Sequence, residues 1–330
     1  SEDIHEQVDM PGAEDDGILD VRSKNVGGLR NSLVELLEEF GENPPDVVAL
    51  QECFGKCSVK GLGWSLVRNL RSGAHANHGG GTGFLIRKHL QYESFRRLWF
   101  RSGEVGVEIC WIRVKAAGGW LYIASVYAPP GVDPSVAAVF IGGQLHYIAH
   151  LDCCGILVCG DFNSSWYSRE VLELHSLGGV SGEYLSKGQT WRRLLTETVR
   201  GLHPCVLNDA NLEFTHSTHT NNGNTCTLID YMVWIGVPKV ISFEVLPGAQ
   251  FHRQLAVRLP LKAESVPVQE RINWRRLSTD VDAREAFQER ATHLSREEVQ
   301  FEEWSQRIHA AARATLGVIT PRPPHKFSRN

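Results

Sequence analysis

Three absences narrow what this 330-residue chain can be. None of its eight cysteines forms a Cys-x-x-Cys pair, so zinc-ribbon and thioredoxin-type spacings are excluded. No apolar run approaches the roughly 18 residues needed to cross a bilayer, so no membrane span is expected. The first sixteen residues hold seven acids, no lysine or arginine and no apolar centre. That composition fits neither a secretory signal nor a transit peptide and predicts an acidic, disordered tail over 1–16. Positive charge is not in excess either: the formal net charge is −4. Nothing global therefore demands a polyanionic partner, although a local basic groove or a bound cation would serve one.

What is present argues for a large core. Hydrophobic residues make up 42 %, with nine tryptophans and thirteen phenylalanines. Cysteines sit inside apolar runs such as Glu108-Ile-Cys-Trp-Ile112 and read as reduced thiols, which predicts an intracellular chain, nuclear or cytoplasmic. A strand is expected from Ile18, then a turn at Asn25-Val-Gly-Gly-Leu29. A helix is expected next, capped by Ser32 with Glu35 three residues on. Asp46–Leu50 reads as a short buried strand. Further strands are expected at 83–86, 105–114, 120–127, 155–159, 227–234 and 255–259, and helices near 135–151, 168–174 and 189–200. Strands in succession with few helices suggest an α/β class fold, two sheets face to face with helices outside, over 17–262. Residues 263–330 read as a helical extension or linker, with helices over 282–294 and 296–316. Ser295 and Glu298 are expected to form a capping box for the second, and its face carries Trp304, Ile308, Ala311 and Thr315.

The chemistry collects at strand ends. Ile156-Leu-Val-Cys-Gly-Asp-Phe-Asn163 runs from apolar residues to a carboxylate and an amide two positions apart. Leu50-Gln51-Glu52 and the stretch ending at Asn25 have the same form. Asp230 lies inside Ile229-Asp-Tyr-Met-Val233, and His252 just precedes the apolar Leu255-Ala-Val257. A carboxylate in an apolar strand needs a partner or a cation. Oxygen donors with few carboxylates suit Mg²⁺ or Mn²⁺. A second carboxylate can activate water, and a charged histidine can stabilise a crowded phosphate. Each element alone has a bland reading; Gly-Asp-x-Asn on its own is commonly a turn. The basic stretch Arg87-Lys88, Arg96-Arg97 and Arg101, near Trp99 and Phe100, would track a phosphate backbone or simply line a solvated edge.

Taken together and in order, Asn25-Val-Gly-Gly-Leu, Leu50-Gln-Glu52, Ser125-Val-Tyr127-Ala-Pro-Pro, Cys159-Gly-Asp161-Phe-Asn163 and Leu228-Ile-Asp230-Tyr resemble the endonuclease/exonuclease/phosphatase superfamily. Gly79-Gly-Gly-Thr-Gly-Phe-Leu-Ile-Arg87 and Tyr-Ala-Pro-Pro-Gly are similar to the apurinic/apyrimidinic-like endonuclease domain of LINE-type (non-LTR) retrotransposons. The segment around Trp274 resembles the stretch on the C-terminal side of that domain in such elements. The resemblance implies a deoxyribonuclease I-like sandwich and a Mg²⁺- or Mn²⁺-dependent endonuclease that nicks DNA to leave a 3′-hydroxyl. A reverse transcriptase domain of the same element is the implied partner. It further implies Glu52 and Asn25 as metal ligands, Asp161 as the group acting on water and Asn163 as its orienting neighbour. Tyr127 is implied at the scissile phosphate, Asp230 as the partner of a charged His252, and Thr215 in a DNA-contacting hairpin. Arg87, Arg96 and Arg97 are the expected nucleic-acid contacts. Two departures stand out. Phe251 occupies the place of the family's usual Asp before the histidine, and Lys24 replaces an apolar residue. They leave room for an alternative, a non-catalytic protein of this fold serving as a binding or assembly module. No aromatic-Ala-Asp-Asp run of a polymerase is present.

Overall fold

The structure, a computed structural model, describes residues 17–71, 79–100, 106–175, 177, 182–220, 223–236, 239–248, 251–264, 271–272, 276–294, 301–316 and 318–319. Contacts divide the chain into two units, Ser1–Ser265 and Val266–Asn330. In chain order the first unit holds β1 (Leu19–Asn25), α1 (Leu29–Glu39), β2 (Val47–Gln51), β3 (Trp64–Asn69), β4 (Thr82–Arg87), β5 (Tyr92–Ser94), β6 (Glu108–Ala116) and β7 (Gly119–Tyr127). After these come α2 (Pro134–Ala149), β8 (Cys153–Asp161), α3 (Arg169–Leu174), α4 (Gly182–Thr198), β9 (Cys205–Val206), β10 (His216–Thr220), β11 (Gly223–Thr227), β12 (Asp230–Gly236), β13 (Ser242–Leu246) and β14 (Gln254–Leu259).

Two six-stranded sheets result. One has the order β13-β14-β1-β2-β4-β3, the other β5-β6-β7-β8-β12-β9. Both are mixed: β1 and β2 run parallel, as do β7 and β8, the latter pair joined through α2. The fold is therefore the deoxyribonuclease I-like α/β sandwich, two mixed sheets flanked by helices. The shared core lies between the sheets and includes Val21, Ala49, Ile123, Leu157, Met232 and Val257. The outer face of the first sheet packs Val48, Leu50 and Leu85 against Leu33, Leu36 and Phe40 of the α1 region. The outer face of the second packs Ile156 and Val158 against Ile141, Leu145 and Trp191. Central strands buried on both faces explain the continuous apolar runs of β2 and β8.

Strand periodicity then places the polar residues. Val47 and Ala49 point between the sheets, so Gln51 does too. Leu19, Val21 and Asn25 share one face of β1; Leu121, Ile123, Ser125 and Tyr127 share one of β7; Leu157, Cys159 and Asp161 share one of β8. The register aligns these ends: Asn25 lies opposite Gln51, Tyr127 opposite Asp161, and Asp230 opposite Asp161. A slip of one residue would turn Asp161 into the outer hydrophobic layer.

Several expectations need correction. Helix α1 begins at Leu29 with Gly28 as its cap, and Ser32 lies within it, its hydroxyl donating to Val26 O at 2.6 Å and Gly28 O at 3.0 Å. Gly28 has φ 110°, and a Cβ there would press on the Phe54 ring at 3.0 Å, so the turn selects glycine sterically. Strands β3, β5, β9, β10, β11 and β13 are not all separable from loops in the sequence, and β10–β11 is a polar hairpin. The strand expected from residue 105 starts at Glu108, and 105 itself lies outside the described residues.

The second unit holds β15 (Arg271–Ile272), α5 (Arg276–Thr279), α6 (Val281–Leu294), α7 (Phe301–Leu316) and β16 (Val318–Ile319). Its two long helices match the expected pair. Ala283, Ala312 and Leu316 are buried together, against Leu277 and Phe287. Asp280 starts α6, accepting from the Ala283 amide at 3.0 Å while bonded to Arg276. The two-stranded β15–β16 pair has no counterpart among the expected elements. Residues 1–16, Trp274 and the expected Ser295–Glu298 capping box lie outside the described residues. Among the described residues no helix is long and apolar enough to cross a membrane.

Candidate active site

The inward-facing strand ends converge at one end of the sandwich. Asn25 closes β1, and its amide Nδ2 donates to Glu52 Oε1 at 3.0 Å and to Asp161 Oδ2 at 2.9 Å. One side chain thus spans the two sheets and ties together the acids expected to meet. Asn25 Oδ1 accepts from the Gly27 amide at 3.0 Å, which fixes which way the side chain faces. Glu52 comes directly after β2 with φ 50°, a conformation few non-glycine residues take. It is held there because its carbonyl accepts from Gly28 N at 2.8 Å and Cys53 N donates to Gly81 O at 3.2 Å. Asn163 has φ 47°; its backbone N–H donates to Asp161 Oδ1 at 2.9 Å, and its Nδ2 donates to Ala128 O at 3.1 Å. Left-handed backbone costs about 1–3 kcal/mol per residue and gathers at functional sites.

Asp161, Asp230 and His252 offer ligand atoms within 4.8 Å of one another. His252 Nδ1 lies 3.0 and 3.2 Å from the two Asp230 carboxylate oxygens. Burial opposes charge on His252, yet Asp230 first, then Asp161 and Glu52, raise its pKa to about 9. It is therefore an imidazolium at neutral pH, Nδ1–H donating to Asp230. Asp161 is buried, and desolvation, then repulsion from Asp230, push it up to about 7 against the pull of His252 and the hydrogen bonds from Asn25 and Asn163. Tyr127 is raised as well, by burial and then by the Glu52 and Asp161 carboxylates beside it. It stays a protonated donor.

Six of the expected residues thus share one cluster with Tyr127: Asn25, Glu52, Asp161, Asn163, Asp230 and His252. The expected nucleic-acid contacts divide. Thr215 is fully buried and its Oγ1 accepts from the Ile229 and Asp230 amides, both at 3.1 Å. It holds Asp230 in place and faces no solvent. Arg87 ends β4 at the opposite end from Thr82, which pairs with Gln51, and stacks on Trp64 at 5.2 Å, far from the cluster. Arg97 lies over Phe95 and Tyr147. Arg96 is exposed and stacks on Trp99 at 5.4 Å. Phe251 is 61 % exposed, so its ring does not fill the core. Lys24 points away from the cluster, paired with Glu39 at 2.7 Å and buried.

Three features are not among the residues expected from the sequence. Gln51, there a polar strand end, is fully buried; its Nε2 donates to Ser125 Oγ at 3.0 Å and Ser23 Oγ at 3.2 Å, and the Ser125 hydroxyl donates to Leu50 O at 2.7 Å. This network ties the sheets together beneath the cluster. His216 packs against His252 with ring centroids 4.5 Å apart and the planes tilted by 50°. Its pKa is lowered by burial and by the neighbouring imidazolium. Glu108, buried at the start of β6 and paired in register with Tyr127, is bonded to Arg71. The signal for it is present in the sequence: an acid opening an apolar run.

Carboxylate oxygens of Glu52 and Asp161 meet at the Asn25 amide, with no thiol among them, and suit a hard divalent cation such as Mg²⁺. Asn25, expected as a ligand, turns its Nδ2 to the two acids and keeps its Oδ1 on the Gly27 amide, so it braces them. The Endonuclease/Exonuclease/phosphatase family model matches residues 23–250. No curated protein matches the sequence. Solved structures share the fold at low identity. The endonuclease domain of TRAS1, a telomere-specific non-LTR retrotransposon, aligns with TM-score 0.56 and 14 % identity over 73 % of this chain and 98 % of its own. The AP endonuclease LMAP from Leishmania major gives 0.55 and 16 % over 73 % and 87 %. A 3′-5′ exonuclease from Neisseria meningitidis gives 0.50 and 16 % over 72 % and 98 %. With the strand-end cluster in the order and register described, and the family model spanning most of the chain, the protein belongs to the Endonuclease/Exonuclease/phosphatase family.

Proposed function

We propose that the chain is a metal-dependent endonuclease that nicks DNA and leaves a 3′-hydroxyl, as in target-site cleavage by a non-LTR retrotransposon. The observation that carries this reading is Asn25 bonding Glu52 and Asp161 at once, beside a His252 charged by Asp230. The TRAS1 likeness supports the setting. Glu52, with Asp161 adjoining and Asn25 bracing both, would hold Mg²⁺ or Mn²⁺, which when bound supplies positive charge against the phosphate and the leaving oxygen. Asp161, made more basic than a free carboxylate by burial and by the Asp230 charge, accepts the proton of the attacking water. Asn163 donates its backbone N–H to Asp161 Oδ1 at 2.9 Å and so orients the carboxylate that meets the water. His252 keeps Nδ1 on Asp230 and gives Nε2–H to a non-bridging phosphate oxygen, and Tyr127 donates from the other side. Water oxygen bonds to phosphorus, the P–O3′ bond breaks, the 3′-oxygen takes a proton from solvent and the phosphate stays on the 5′ end.

The test is supercoiled-plasmid nicking with Mg²⁺, then extension of the nick with a DNA polymerase. Open circles that form with Mg²⁺ but not with EDTA, and that extend without phosphatase treatment, are the expected result. Nicks that extend only after 3′-phosphate removal, or nicking indifferent to EDTA, would contradict the reading.

A further inference from the structure

An open groove of about 700 Å³ runs along one side of the sandwich, where the edge strand of each sheet faces the other. Arg68 of β3 and Arg71 beyond it line one wall; Tyr92 of β5, Arg96 and Trp99 line the other. Three arginines and no carboxylate are among its lining residues. Each arginine is braced by its surroundings. Arg68 Nη1 donates to Gly55 O at 2.5 Å, Arg71 is bonded to the buried Glu108, and Arg96 lies over Trp99. Trp99 is in turn fixed by its Nε1–H donating to Trp111 O at 2.7 Å. A Cβ on Gly80 would collide with the Arg71 guanidinium, so glycine there leaves Arg71 its place.

The groove joins the cluster at Arg71. Glu108, which holds Arg71, lies opposite Tyr127 across the β6–β7 ladder, and the Arg71 charge reaches the Tyr127 hydroxyl. A strand whose scissile phosphate sits at Tyr127 and His252 has this channel as a continuation. Arginines with aromatic walls are the chemistry of phosphodiester tracking.

We propose that the Arg68–Arg71–Arg96 groove holds the phosphodiester backbone of the DNA strand on one side of the scissile bond. The proposal rests on the endonuclease reading for its choice of ligand, and its test is therefore binding, measured apart from cleavage. A 5′-fluorescein-labelled duplex DNA oligonucleotide is titrated with the full chain in EDTA across a series of NaCl concentrations, and anisotropy gives Kd. Arg96→Glu and the double variant Arg68→Ala/Arg96→Ala are compared with Arg87→Glu, the same charge reversal as Arg96→Glu made at the far end of β4. Thermal melts check that each variant folds.

Groove variants are expected to weaken binding about tenfold or more. The double variant is expected to flatten the log Kd against log[NaCl] slope by about two. Arg87→Glu is expected to change Kd less than twofold, a level set by long-range screening. Equal weakening by Arg87→Glu and Arg96→Glu, no weakening by either groove variant, or no DNA binding by the wild-type chain in low salt would overturn the groove. DNA bound through the groove by a chain that never nicks would instead sink the endonuclease reading and leave the groove standing. Nicking by a chain whose groove variants bind as wild type would do the reverse.

Discussion

The strand-end cluster and the arginine groove are built by opposite means. The cluster sits at the ends of central strands, its side chains are buried or half-buried, and backbone or neighbouring side chains position them: Asn25 by the Gly27 amide, Asp161 by Asn25 and Asn163, His252 by Asp230. The groove lies along the two edge strands β3 and β5, is open to solvent, and takes its arginines from one stretch of the chain, positions 68 to 96. Buried central strands give the fixed geometry that proton transfer needs. Edge strands give length and charge. The comparison predicts that damage to the cluster reaches the chemical step, whereas damage to the groove reaches affinity.

The largest expected effect is at Asp161. Asp161→Asn preserves size and removes the proton acceptor, and should lower the nicking rate about a thousandfold with DNA affinity little changed. A rate within a few-fold of wild type would break the comparison on its chemical side. Asp230→Asn comes next, with an expected loss of roughly 10–100-fold. It also moves a pH limb. His252 must be protonated to act, so activity should fall as pH rises through about 9 in the wild type. Without the Asp230 charge that basic limb should move down toward the ordinary histidine value near 6.5; kcat/KM against pH with an oligonucleotide substrate reads the displacement.

Phe251→Asp should act in the opposite direction, raising nicking up to about tenfold at limiting Mg²⁺. The ring is 61 % exposed, so little packing is lost. Absence of any nicking until this change restores it would favour the binding-module alternative. The smallest effect lies below the cluster. Gln51→Ala leaves the buried Ser23 and Ser125 hydroxyls without this partner and should cost about 1–3 kcal/mol of stability. Urea unfolding measures it, and an unchanged midpoint would show that the sheets do not depend on this tie.

Legibility in the sequence divides along the same line. Asn25, Glu52, Asp161 and Asp230 are legible because each lies in or at the end of an apolar run, where an acid or amide is conspicuous. Their convergence comes from the resemblance, and its physical basis, a shared side-chain parity on β1, β7, β8 and β12, becomes visible only with the register. Thr215 is expected as a DNA contact only through the resemblance, yet its hydroxyl is spent on the Ile229 and Asp230 amides. Arg87 and Arg96 group together by nearness in sequence, and the β4 strand carries the first away from the site. Arg68 and Arg71 stay hidden because β3, Trp-Ser-Leu-Val-Arg-Asn, does not alternate cleanly and forms an edge. Ser32 resembles a cap, but glycine's freedom at position 28 starts the helix earlier.

The most direct test of the cluster as one cation site is a Mn²⁺ titration read by electron paramagnetic resonance, comparing the wild-type chain with Glu52→Ala. One Mn²⁺ bound per wild-type chain, and affinity lowered at least about tenfold by Glu52→Ala, is the predicted result. Equal Mn²⁺ affinity in both proteins, or nicking by a chain that binds no divalent ion, would contradict it.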